Sequence, residues 1–180
     1  MAHIRLPEGI PGIIGPMTAY PETERHLNGL AEALLRGPSS LTPAEREMIA
    51  TYTSNGNECY FCTNSHAATA RALYGSEGNV VDQVLGNAQA APISEKMKAL
   101  LVIAEKTRRD GRQVQAEDVE RAHAAGADDK AIHDTVLIAA AFCMFNRYVD
   151  GLATWAPRDA AVYDEIGAQL ASRGYVHSIR

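Results

Sequence analysis

Apolar residues recur at three- and four-residue intervals along most of this chain, and that spacing predicts helices. Leu27, Leu30, Ala31 and Leu34 repeat in this way between Glu22 and Arg36, where Gly37-Pro38 stops the run. Thr42-Pro43-Ala44-Glu45 reads as a capping box with proline at the first helical position, opening a helix with Met48, Ile49 and Tyr52 on one face. Ser54-Asn55-Gly56-Asn57 breaks it. A third helix is expected to begin at Asn57 or Glu58 and to run through Ala67, Ala68 and Ala72 to Gly75, because alanine is the strongest helix former and glycine suits the end. Further helical stretches are expected at Val80 to Leu85, Ser94 to Arg109, Ala116 to Ala125, Asp128 to Tyr148 and Ala160 to Leu170. No alternating strand pattern competes, so the expected fold is a compact all-α domain of about six to eight helices.

The ends of the chain read differently. Leu6 to Pro21 holds four prolines and three glycines among Ile10, Ile13, Ile14 and Met17, which predicts an extended arm in search of a surface, not a helix. The whole is expected to be one domain over residues 1–180. Residues 1–21 form the arm, 22–109 a core, 110–172 further helices and 173–180 a loose tail.

Composition narrows the partners. A net charge of -5 and a pI near 5.7 leave no broad basic surface, so nucleic acid is not expected as a partner. The longest strictly apolar run, Val136 to Phe145, is too short to cross a bilayer, and the first residues lack a signal-peptide core, which together point to the cytoplasm and to no membrane partner. Much of the 46% hydrophobic content is alanine, and alanine buries little area. That thin core, with the apolar arm, predicts burial between subunits and hence a homo-oligomer.

The chemistry concentrates in Asn57-Glu58-Cys59-Tyr60-Phe61-Cys62-Thr63-Asn64-Ser65-His66. With about 3.6 residues per helical turn, Cys59, Cys62 and His66 are expected on one face. A helix start favours thiolate and can bring a cysteine from about 8.5 into the range of roughly 3.5 to 7.5. His66 supplies a group that takes a thiol proton or returns one to a leaving oxygen. A thiolate that attacks an oxidant becomes a sulfenic acid, and a second thiol three residues away condenses with it before over-oxidation. Which sulfur attacks is divided on these grounds: the helix dipole favours Cys59, the histidine one turn on favours Cys62. The histidine, both acceptor and donor, decides for Cys62.

Glu47 followed twelve residues later by Cys59-x-x-Cys62-x-x-x-His66 resembles the active-site signature of the alkyl hydroperoxidase D branch of the carboxymuconolactone decarboxylase family. Thr42 through Gly75 carries the resemblance best. Phe145-Asn146-Arg147-Tyr148-Val149-Asp150-Gly151-Leu152 is similar to a tail found in the peroxidase-related members of that family. The resemblance implies an oxidoreductase that reduces small hydroperoxides through a Cys59-Cys62 disulfide cycle. In it Cys62 attacks, Cys59 resolves, and His66 with Glu47 relays protons. It further implies no metal, flavin or nucleotide cofactor, a dithiol reductant that is a small molecule or a protein, and assembly into a homo-oligomer. The best-known peroxidases of the group carry a second histidine immediately before the second cysteine, where this chain has Phe61.

Other readings compete. Disulfide exchange without peroxide turnover uses the same two thiols. Two cysteines, His66 and Glu47 make up a zinc-ligand set by residue type, although structural zinc sites usually draw pairs from separate loops. Lactone decarboxylation, the chemistry of the family's namesake, does not rely on a dithiol. Away from the cluster, Tyr52, Tyr60 and Phe61 are expected to pack the site walls, Cys143 to be a buried inert thiol, and Arg147 to anchor helices through a carboxylate.

Overall fold

The computed structural model describes residues 2–176, and among them are nine α-helices and no strand. They are α1 (Ile14–Ala19), α2 (Pro21–Leu35), α3 (Pro43–Gly56), α4 (Tyr60–Tyr74), α5 (Val80–Asn87), α6 (Glu95–Arg109), α7 (Ala116–Ala124), α8 (Asp129–Gly151) and α9 (Ala160–Arg173). One-turn 3₁₀ segments follow α4 and α6.

Helix starts are written in local side chains. Thr42 and Glu45 form the expected capping box: the Glu45 amide donates to Thr42 Oγ1 at 3.2 Å and the Thr42 amide to Glu45 Oε2 at 2.8 Å. Ser94, Asp128 and Asp159 cap α6, α8 and α9 with a single side-chain oxygen each, accepting from the amides of Met97, Ala131 and Ala161. The main core gathers Leu35, Met48, Ile49, Leu100, Ile103, Ile138 and Phe142, all at most 1% exposed. Each such side chain contributes on the order of 1.5–3 kcal/mol. Helix α3 lies at the centre of this packing, against α4, α6 and α8, while α4 is covered on its other side by α9. A β-carbon on Gly167 of α9 would stand 2.6 Å from the Ala68 carbonyl carbon, so only glycine lets α4 and α9 approach so closely.

Three expectations change. The arm is not wholly extended, since Ile14–Ala19 forms a six-residue helix. Pro16 lies in its first turn, where a missing N–H costs nothing. The arm also finds its surface on its own chain: the His3 amide donates to Leu152 O at 2.9 Å and the Gly12 amide to Trp155 O at 2.7 Å. Gly12 has φ +53° and touches Phe61 so closely that an added β-carbon would fall 2.1 Å from its ring.

The cysteine helix begins later than its composition predicts. Helix α3 continues through Gly56 and closes in a Schellman turn, in which the Glu58 amide donates to Asn55 O at 3.0 Å and the Cys59 amide to Ser54 O at 3.1 Å. Glu58 takes the left-handed conformation, φ 60°, that this turn demands. Cys59 is therefore the N-cap of α4, with φ -78° and ψ 97°, and does not share a helical face with Cys62 and His66.

The expected loose tail is anchored where it is described. Tyr175 is 8% exposed and its amide donates to Glu32 Oε2 at 2.6 Å. Residues 177–180 of that tail lie outside the described residues. Among the described residues, no helix is long and apolar enough to cross a membrane.

Candidate active site

Helix α3 brings Glu47 into the interior, where the carboxylate is 0% exposed. Three donors surround it. His66 Nδ1 lies 2.8 Å from Oε2, Arg36 Nη2 2.7 Å from Oε1, and the Tyr175 hydroxyl donates to Oε1 at 2.6 Å. Burial alone would favour the neutral acid. The charge and hydrogen bond of His66, then the Arg36 guanidinium and the Tyr175 hydroxyl, outweigh it and hold the carboxyl below its ordinary range. Tyr175 goes the other way: burial first, and the Glu47 charge second, push its phenol well above 10.

An ionised carboxylate only accepts, so His66 Nδ1 carries the proton and Nε2 is the nitrogen left to exchange one. The ring is held edge-on against Phe142 with centroids 4.6 Å apart. Cys62 sits one turn before His66 on α4 and is 4% exposed. Both residues line a cavity of about 100 Å³ walled by Ile13, Ile14 and Met17 of the arm, by Phe142 of α8 and by Ile166 and Leu170 of α9. That is room for a few water-sized groups.

Cys59 is 0% exposed and does not line the cavity. Its thiol is pushed far up, first by hydrogen bonding to Cys62, then by burial and by the Cys62 charge. The two sulfurs are neighbours and both are free thiols.

All four residues singled out in the sequence, Glu47, Cys59, Cys62 and His66, thus meet in one region. Two further members were not foreseen. Arg36 ends α2 beside a glycine-proline stop, and nothing local marks it except that a buried carboxylate needs a cation. Tyr175 lies in the segment expected to be loose. Of the wall residues, Phe61 lines the cavity, whereas Tyr52 packs on the main core and Tyr60 is 40% exposed, edge-on to Tyr163 and beneath Arg158. Among the described residues Arg147 meets no carboxylate; it donates to Cys143 O of its own helix at 2.9 Å. Cys143 is only partly buried, with Asn57 Nδ2 3.5 Å from its sulfur. Among the described residues no three His, Cys, Asp or Glu side chains converge as metal ligands do, and the Glu47 oxygens are already occupied by His66, Arg36 and Tyr175.

The carboxymuconolactone decarboxylase family model matches residues 21–106, from the start of α2 into the last turn of α6. Among curated proteins none matches the chain significantly. Solved structures share the fold, two among them being peroxidase-related proteins. An uncharacterized peroxidase-related protein from Silicibacter sp. TM1040 is 26% identical, with a TM-score of 0.77 over 86% of this chain and 79% of that one. An uncharacterized peroxidase-related protein from Ralstonia eutropha JMP134, described as an alkylhydroperoxidase AhpD core, is 28% identical, with a TM-score of 0.77 over 88% of this chain and 81% of that one. Residues 21–106 thus match the carboxymuconolactone decarboxylase family, the matched segment holds Glu47, Cys59, Cys62 and His66, and over most of its length the chain is similar to peroxidase-related structures, one of them an AhpD core.

Proposed function

We propose that this protein is a thiol peroxidase that reduces a small hydroperoxide through a Cys59-Cys62 dithiol/disulfide cycle, with His66 and Glu47 as its proton relay. One observation carries the reading: the cavity reaches Cys62 and the histidine that Glu47 orients, and leaves Cys59 behind them. His66 takes the Cys62 proton. The thiolate attacks the terminal peroxide oxygen, the O–O bond breaks, and the alkoxide leaves as an alcohol with the proton from His66. Cys59 then displaces water from the Cys62 sulfenic acid to form the disulfide, which an external dithiol reduces. Thiols only 0% and 4% exposed stand against direct exchange with a protein disulfide.

Consumption of hydrogen peroxide and of alkyl hydroperoxides, followed with a panel of dithiol donors, tests this. The wild type should turn over and Cys62→Ser should not; equal rates in the two would end the reading.

Homo-oligomer assembly remains part of the proposal on new grounds. Ile13, Ile14 and Met17 of the arm are used within the chain, whereas Leu137 and Met144, two turns apart on α8, are 38% and 44% exposed. Light scattering that finds only a 19.4 kDa monomer at micromolar concentration would remove it.

A further inference from the structure

The cycle above leaves one proton without a destination. Cys59 must lose its proton to attack Cys62, yet burial and its neighbour both hold that proton in place, and Phe61 offers no base beside it.

The Phe145–Leu152 string supplies one. Asn146 of α8 is clamped to the α3–α4 connection: its Nδ2 donates to Ser54 Oγ at 3.0 Å, and its Oδ1 accepts from Asn57 Nδ2 at 2.8 Å. Asp150 lies one helical turn further along the same face, and between them Val149 packs in the same cluster as Cys59 and Cys62. This register sets the Asp150 carboxyl beside the Cys59 thiol, close enough for the two groups to interact. The turn that follows is fixed as well, by the Ala153 amide on Asp150 O at 2.9 Å and by the N-terminal arm on Leu152.

We propose that Asp150 is the general base of the resolving step, taking the proton of Cys59 as that sulfur attacks Cys62. The proposal rests on the dithiol cycle, though not on the peroxide as its oxidant. As the S–S bond forms, the Cys62 S–O bond breaks. The hydroxide leaves as water with a proton from solvent, and Asp150 returns its own proton to solvent. The sum is one thiol and one sulfenic acid giving one disulfide and one water. Partial burial raises the Asp150 carboxyl above its usual range, which strengthens it as a base, and the neighbouring Cys59 thiol acts on it in the opposite sense. Its outer side is open to water, so the proton has an exit. The site therefore has a carboxylate for each thiol: Glu47 acts on Cys62 through His66, and Asp150 acts on Cys59 directly.

Methyl methanethiosulfonate tests this without peroxide. It is small enough to convert Cys62 to a methyl mixed disulfide, which Cys59 resolves with release of methanethiol; quenched mass spectrometry reads both steps. Asp150→Asn should leave formation of the mixed disulfide within about twofold of wild type and slow its resolution about a hundredfold at pH 7. The wild-type resolving rate should rise through a carboxyl ionisation and then level, whereas the variant's should climb in proportion to hydroxide. Resolution by Asp150→Asn at the wild-type rate and with the wild-type pH profile would overturn the proposal. So would equal slowing of both steps, which marks a structural role. The wild-type profile decides the matter should the variant fold poorly: a resolving rate proportional to hydroxide throughout excludes a carboxyl base. A protein that resolves as expected but consumes no peroxide would refute the peroxidase reading alone.

Discussion

The Tyr175 hydroxyl donates to Glu47 Oε1 at 2.6 Å, across 128 positions of sequence. The same hydroxyl lies 3.2 Å from His66 Nδ1, and its ring stands 5.2 Å from the Arg36 guanidinium. A residue beyond the last helix thus closes the polar cage around the buried carboxylate. Tyr175→Phe keeps the ring and leaves Glu47 one donor short, which should cost about 1–3 kcal/mol. Urea unfolding at pH 7 measures it. An unchanged midpoint would mean that water replaces the hydroxyl.

Glu47 makes part of the stability dependent on pH. Its folded-state carboxyl is held below the ordinary value, and the unfolded chain titrates near 4.3. The unfolded chain therefore takes up the proton first. Stability from Glu47 is complete above about pH 4.3 and is lost as pH falls through the folded-state value. Glu47→Gln should be destabilised by about 3 kcal/mol at pH 7, because Arg36 loses its charge partner in a mostly buried place. The gap to wild type should narrow as the solution is acidified below pH 4. A gap independent of pH would show that folding leaves the proton affinity of the Glu47 carboxyl unchanged.

The two thiols should differ in order as well as role. Mild oxidation should join Cys59 to Cys62 and leave Cys143 free, as read by mass spectrometry after alkylation. A sulfenic acid should be trapped at Cys62 in Cys59→Ser, while Cys62→Ser reacts slowly with peroxide. A main product containing a Cys143 bridge, or rapid reaction at Cys59 in Cys62→Ser, would reverse the assignment and make the helix start, not the histidine, the source of reactivity.

How much of this was legible in the sequence depended on whether a signal was local. The capping box at Thr42 and Glu45 and the breaks at Gly37-Pro38 and Gly75 are decided by neighbours in the chain, and each helix they bound is present. Cys62 and His66 lie one turn apart on α4, so their relation could be read from spacing. Cys59 could not be placed that way. The Schellman turn puts Glu58 in a left-handed conformation that glycine or asparagine usually marks, and the helix start shifts past the first cysteine. Tyr175, Arg36 and Asp150 reach the site only through packing of α9, α2 and α8, for which no spacing rule exists. Pro16 reads as a breaker by residue type alone, whereas in the first turn of α1 its missing N–H costs nothing.

Gly167 and Gly29 both lie inside helices and should respond oppositely to alanine. Gly29 is exposed on α2 with nothing within 4 Å of a would-be β-carbon. Gly29→Ala should therefore stabilise the protein by about 0.5–1 kcal/mol through helix propensity. Gly167→Ala drives a methyl group to 2.7 Å from the Ala68 β-carbon and 2.8 Å from the Thr69 amide nitrogen. Backbone cannot yield as a side-chain tip does, so α9 must move off α4 at a cost of about 1–3 kcal/mol. Because α9 carries Ile166 and Leu170 of the cavity wall and leads into Tyr175, the shift should also loosen the cage around Glu47. Thermal unfolding of both variants, with hydrogen exchange at the Tyr175 amide, measures the two effects. Gly167→Ala with wild-type stability and wild-type protection at Tyr175 would show that the α4–α9 contact does not hold the site together.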